Sequence, residues 1–482
     1  MKSFYIKISI LLAFVLASSS LFSQDKWKHG RLRVTDSGHY LQYEDGTPFF
    51  WLGDTGWELF HRLTKKEIEI YLENRRQKGF NLIQAAILAD LDGLRIPNRL
   101  GDVPLKDLDP EKPNEKYFEL VDWVVQNALS KNMFMGLLPT WGDKVYQAWG
   151  VGPVIFNEKN AYTYGLFLGQ RYASYPNIVW ILGGDRPAMR DTNDWRPVWR
   201  AMAKGIKEGT KGKAILTYHT WGGKLSTSQQ IHNENWLDIN MMQSGHGDGH
   251  DVPVWEWIER DRKLSPTKPT LDSEPNYEDH PVNPSPNWDS TNGYFRDYDV
   301  RKQIYRSVFA GGCGVTYGHH AIWQFYSKRE KMRNHADRYW TEALDRPGAF
   351  QSGYLGMLLN LRPSLNRIPA QEIIKKGQRT AGDYITAFRN EDNSCGMIYI
   401  PVGKEIAIST NWIKSAKISA WWFNPRNAAV ANIGKMKRQE VMTFTPPTVG
   451  IENDWVLIIE DGSKPVPSEI VKDTKQTSKK AN

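Results

Sequence analysis

Cysteine is almost missing from this chain: 482 residues contain Cys313 and Cys395 and no others. The two lie far apart, so a disulfide framework is excluded. A chain of this length buries a core that needs none, and both residues read as free buried thiols. Long apolar runs are also missing. The only candidate, residues 8–17, follows the basic start Met1-Lys-Ser-Phe-Tyr-Ile-Lys7 and precedes small residues at 18–24. It is too short to span a bilayer and reads as the core of a secretory signal over residues 1–23. No cysteine lies near the cut, so a lipid anchor lacks its attachment residue. There is no basic stripe or nucleic-acid motif. The turn Gly53-Asp-Thr-Gly56 is not the glycine fingerprint of a dinucleotide site. No His-x-x-x-His pair is expected on a helix, since His246-Gly-Asp-Gly-His250 lies in a Gly-rich run, which argues against a catalytic zinc site. His246, His250 and His319 remain as a weaker metal-ligand alternative. The formal charge is +8, of which the signal segment carries Lys2 and Lys7. The modest positive remainder suits an acidic polysaccharide but does not require one.

Aromatic residues are abundant: 20 Trp and 21 Tyr. In an exported protein this surplus suits stacking on sugar rings, whose C–H faces are apolar while their hydroxyls need polar partners. The expected site is therefore one for a carbohydrate.

The apolar pattern alternates between short strand-like runs and amphipathic helices. Residues 31–50 read as a hairpin. Strands are expected at 49–53, 80–88, 133–140, 177–184, 214–220, 237–244, 270–274 and 314–322. Helices are expected at 65–78, 116–130, 158–174, 195–208, 254–264, 299–310 and within 348–361. Thr64 with Glu67 forms a capping box and Gly79 a stop for the first of these helices. Eight strand–helix alternations over about three hundred residues predict a (β/α)8 barrel. After residue 377 six short strands follow without long helices, which predicts a small antiparallel β-sandwich. The expected boundaries are a signal at 1–23, the barrel with its hairpin at 24–377, the sandwich at 378–461 and a disordered lysine-rich tail at 462–482.

Two of the strands end in an acid. Asn177-Ile-Val-Trp-Ile-Leu-Gly-Gly-Asp185 closes the fourth and Pro269-Thr-Leu-Asp-Ser-Glu274 the seventh. Barrel enzymes keep their reactive groups at the C-terminal ends of strands, and glycosidic bonds are cut by a pair of carboxyl groups. Asp185 and Glu274 are thus the expected catalytic pair. Asp272, two residues before Glu274, would share its face by alternation and tune it or cap a helix. Other strand ends supply candidates for binding sugar: Asp54 and Trp57, Trp141, His219, Gln243 and His246, His319 and Trp323.

Trp51-Leu-Gly-Asp-Thr-Gly-Trp57, Gly79-Phe-Asn81, the run ending in Asp185 and Asp272-Ser-Glu-Pro275 resemble the apiosidase-like glycoside hydrolases over residues 30 to 360. The C-terminal strands look like the domain that follows the barrel in that family and carries a collagen-binding label; nothing in them specifies collagen. The resemblance implies an acid/base at Asp185 and a nucleophile at Glu274 in a double-displacement, retaining mechanism. It also implies an exported bacterial enzyme, periplasmic or at the cell surface, that releases apiose from rhamnogalacturonan II side chains of plant pectin. No cofactor, nucleic acid or membrane span is expected, and the chain is expected to act as an exo-acting monomer. The alternatives are a non-catalytic carbohydrate-binding barrel and a glycosidase for another sugar. One feature departs from the wider clan, where Asn-Glu ends the fourth strand. Here Gly184-Asp185 stands instead, so the acid is one methylene shorter and the sugar-binding Asn is missing.

Overall fold

The computed structural model describes residues 27–463, apart from 224 and 283–288. The expected signal segment lies outside these residues, as does the tail beyond residue 463. Among the described residues no helix is long and apolar enough to cross a membrane.

Eight parallel strands form a nearly closed barrel: Trp51–Thr55, Leu82–Leu88, Phe134–Thr140, Ile178–Leu182, Leu216–Tyr218, Asn240–Met242, Thr270–Asp272 and Gly314–Tyr317. Their residues are buried throughout, which is why the runs are continuously apolar rather than alternating. The fifth and sixth strands share no ladder. They are joined by Asp238 N–H donating to the Leu216 carbonyl and the Thr217 hydroxyl donating to the Ile239 carbonyl, each at 2.9 Å. Trp51, Phe134, Leu138, Ile181, Met241 and Leu271 pack together inside the barrel. Its floor is plugged by an antiparallel sheet of Leu32–Val34, Leu41–Tyr43 and Pro48–Phe49. The Phe49 and Phe134 rings there meet edge-on at 5.2 Å.

The first strand differs from the expected 49–53. The run Phe49-Phe-Trp-Leu52 belongs half to the plug and half to the barrel, and pairing of Gly53–Thr55 with residues 82–84 decides where one ends. The eighth strand stops at Tyr317, short of the expected 322. The His319 ring accepts from Ala321 N–H and caps a single helical turn, His320–Trp323. The Thr64–Glu67 capping box forms as expected at the head of Lys65–Gln77.

The C-terminal unit is antiparallel, with a six-stranded and a three-stranded sheet. Arg367–Pro369 and Ile374–Lys376, ahead of the expected boundary at 377, already pair in these sheets. Val430–Lys437 is a strand that the hydrophobic pattern does not announce; none of it is fully buried, so little selects for apolar residues there. The helix Asp297–Phe309 docks the barrel on this unit. Arg301 makes a buried two-pronged pair with Asp454, both contacts at 3.0 Å, and the Tyr305 ring stacks on Tyr399 at 4.8 Å. Cys313 and Cys395 are both buried and unbridged.

Candidate functional site

At the end of the fourth strand Gly183, Gly184 and Asp185 all take left-handed backbone angles, with φ of 91°, 60° and 59°. Glycine adopts this freely, and Asp is among the side chains that tolerate it. The reversal turns Asp185 into the barrel mouth and brings Gly184 against the third-strand loop. A Cβ on Gly184 would lie 2.6 Å from the Gly142 nitrogen and 2.8 Å from the Trp141 Cα. Neither an Asn nor any other side chain fits there, which explains physically why the usual Asn is missing.

Asp185 Oδ2 accepts the Trp149 indole N–H at 2.8 Å, and its side chain stays 18% exposed. Burial raises its pKa to about 6; Arg186 opposes the rise, while the negative charge of Glu274 adds to it. Arg186 is itself fully buried, donating to the Tyr146 carbonyl at 2.9 Å and to the Asp185 carbonyl at 2.7 Å.

Glu274 is held from two sides. His219 Nε2 lies 2.9 Å from Oε2, and His246 Nε2 lies 3.2 Å from Oε1. The other His246 nitrogen accepts Tyr277 N–H at 3.2 Å, so the proton sits on Nε2 and faces the carboxylate. Burial would raise the Glu274 pKa, but hydrogen bonding and charge from the two histidines outweigh it and bring it down to about 2. Two carboxyls in one mouth are thus pushed apart, one to hold a proton and the other to stay ionised.

Trp57, Trp141 and His219 form the floor beside them. The Trp57 ring lies 5.3 Å from each of the other two. The Trp57 indole N–H donates to the Tyr277 hydroxyl at 3.1 Å. That phenol is kept protonated, above all by burial and then by the Glu274 charge. Gln243 is also directed inward, and its buried Oε1 has no protein partner. Trp323 packs half-buried against the barrel-interior cluster, its indole donating to His320 Nδ1 at 3.3 Å.

Two expected binding residues lie elsewhere. Asp54 faces outward, because Trp51, Gly53 and Thr55 take the inner positions of the first strand. Its Oδ2 accepts from Tyr71 Oη at 2.6 Å and from Arg75 Nε at 2.5 Å, fully buried against the helix Lys65–Gln77. Asp54 is therefore a structural ion-pair partner. Asp54→Ala strands the Arg75 guanidinium and is expected to cost about 3–5 kcal/mol of stability, measured as a drop in the denaturation midpoint. His319 is turned away too. Its Nε2 donates to Asp279 at 3.1 Å, and Asp279 is ringed by Arg296, Arg338 and Arg346. His250 pairs with Asp299 at 2.8 Å. The three histidines of the metal alternative thus face three different acids, and among the described residues no cluster suited to a metal ion forms.

Asp272 does not share a face with Glu274. Strand pairing stops at Asp272, so alternation no longer governs the next residues. Asp272 points outward, accepting the Ser244 hydroxyl at 2.6 Å and the Glu274 backbone N–H. Ser244 in turn accepts from Gln303 on the docking helix. Burial raises the Asp272 pKa to about 7. Trp149, Arg186 and Tyr277 are site residues that the sequence pattern does not reveal. They sit in loops without periodicity, and the only local hint is their proximity to an acid or a strand end.

Residues 35–366 match the family model "Apiosidase-like, catalytic domain", and residues 368–460 match "Putative collagen-binding domain of a collagenase". A solved structure titled "Glycoside hydrolase" is 33% identical, covers 91% of this chain and 99% of its own, and superposes with a TM-score of 0.82. A glycoside hydrolase family 5 structure from Bacteroides vulgatus is 32% identical, covers 93% and 98%, and reaches 0.83. A third structure, titled a "putative glycoside hydrolase from Bacteroides vulgatus", is 15% identical, covers 90% of this chain and 83% of its own, and shares the fold with a TM-score of 0.60. No curated protein matches the chain.

Proposed function

The chain belongs to the apiosidase-like glycoside hydrolases, and we propose that it is an exported, exo-acting enzyme that releases apiose from side chains of plant pectin. The observation that carries a hydrolytic role is the divergence of Asp185 and Glu274. One carboxyl is held near pKa 6 and the other near 2 within a single aromatic mouth.

In the proposed cycle Glu274 attacks the anomeric carbon while Asp185 protonates the departing glycosidic oxygen. The C–O bond to the leaving group breaks, and a bond from the glycone to Glu274 forms. Ester formation removes the Glu274 charge that helps Asp185 keep its proton. The Asp185 pKa therefore falls after it has donated, which suits it to take a proton from the water that hydrolyses the ester. His219 and His246 hold Glu274 ionised before attack and hydrogen-bond it again as it leaves. Trp57, Trp141 and Tyr277 supply an apolar bed with a few hydroxyl-facing donors. The short left-handed turn at 183–185, with no room for an Asn, suits a glycone whose hydroxyl layout differs from that of a pyranose.

Incubation with rhamnogalacturonan II side-chain oligosaccharides, followed in real time by proton NMR, tests both parts. Free apiose should appear first in the anomeric form of the substrate. Release of another monosaccharide would replace the substrate assignment, and first appearance of the opposite anomer would replace double displacement by inversion.

A further inference from the structure

Trp149 is the residue that holds Asp185, and its loop is built to present it. The Arg186 guanidinium lies 4.1 Å from the Trp149 ring and donates to the Trp149 carbonyl. The loop is fastened below. Gly152 N–H donates to Asp143 Oδ2 at 2.9 Å, Lys144 Nζ reaches the Ala89 carbonyl at 2.6 Å, and the Lys144 carbonyl accepts Ile155 N–H at 2.9 Å. Trp149 nevertheless remains 42% exposed, whereas the floor residues Trp57 and Trp141 are buried. Next to it, Trp221 from the fifth-strand loop lies nearly parallel, with ring centroids 5.6 Å apart at 19°, and the Arg190 guanidinium sits 4.8 Å from the Trp221 ring. Two guanidinium–indole contacts thus fix a stacked, near-parallel pair of rings beside the acid, Trp149 exposed and Trp221 half-buried.

We propose that Trp149 and Trp221 form the wall for the leaving-group sugar, and that the Trp149 indole N–H positions the Asp185 carboxyl for protonating the glycosidic oxygen. This rests on the reading of Asp185 as acid/base. An acid that protonates the glycosidic oxygen stands between the two sugars. Glu274 and the buried floor bind the glycone on one side, so an exposed aromatic wall touching Asp185 on the outer side meets the other sugar. The indole nitrogen only donates. It therefore commits Oδ2 as an acceptor and leaves Oδ1 to carry the transferable proton. Because it hydrogen-bonds the charged form, it lowers the proton affinity of Asp185, as Arg186 and His219 also do, against the opposing charge of Glu274.

The test uses two readouts on the full-length protein. In aspartate carboxyl-¹³C-labelled protein, with the resonance assigned through Asp185→Asn, Trp149→Phe should raise the Asp185 titration midpoint by about one pH unit. An unchanged midpoint overturns the positioning role. For the wall, kcat/KM is compared between the pectic oligosaccharide and the fluoride of the released sugar, whose leaving group has no ring to stack. Trp221→Ala should lower the ratio of oligosaccharide to fluoride by roughly tenfold. Equal losses on both substrates overturn the wall. A wild-type enzyme inactive on both overturns the hydrolase reading and the wall with it, while the Asp185 midpoint still reports on Trp149.

Discussion

Glu274→Gln is expected to lower kcat by roughly 10⁴-fold or more, with the fold intact. The amide keeps the shape and an acceptor for one of the two histidines, its NH2 faces the other, and it has no charge with which to attack. The role as nucleophile is separable from a generic loss. In the smaller Glu274→Ala variant, azide should occupy the space left by the carboxylate and yield a glycosyl azide of inverted configuration. Near-UV circular dichroism and the denaturation midpoint serve as controls, since the change lies in a buried cluster. Turnover within tenfold of wild type, or an azide product of retained configuration, would remove Glu274 from the nucleophile's position.

Asp185→Asn should lose about 10²–10⁴-fold on the oligosaccharide, the usual contribution of a general acid. The loss should shrink on the sugar fluoride, because fluoride departs with little protonation. The pH profile gives the sign independently. Activity needs Glu274 ionised and Asp185 protonated. With Glu274 near 2 and Asp185 near 6, kcat/KM should be high between those values and fall as pH rises through about 6, where the acid form is lost. The fall near pH 6 should vanish in Asp185→Asn, which has no proton to lose. A falling limb that persists in that variant would assign the acid to another group.

The two acids were legible because strand ends in a barrel converge, and a short apolar run ending in an acid is a local pattern. Trp57, Trp141, His219, Gln243 and His246 follow from the same logic. The logic fails at Asp54 and His319 for one reason. Both strand ends fall elsewhere than the local pattern suggests: the first strand runs two residues further, so Asp54 lies inside it on the outer face instead of just past its end, and the eighth stops early, so His319 caps a helical turn; where a strand ends depends on its pairing with neighbours far away in sequence. Asp54 was consequently placed in the mouth, although it sits on the outer face beside Arg75. Asp272 fails differently, since period-two alternation ends where the ladder ends. Trp149 had no local signature at all. Its role depends on Arg186, Asp143 and Lys144 fastening a loop whose sequence shows no regular pattern.

By itself the sequence determined the barrel and the C-terminal β-unit and put Asp185 and Glu274 at strand ends, because burial periodicity and strand-end chemistry are written within a few residues of each other. Only the tertiary structure decided what pushes the two carboxyls apart. Asp185 is raised by burial and by the charge of Glu274, and Glu274 is lowered by two histidines from other strands. These shifts depend on distances between residues that are dozens of positions apart, and no local pattern encodes them.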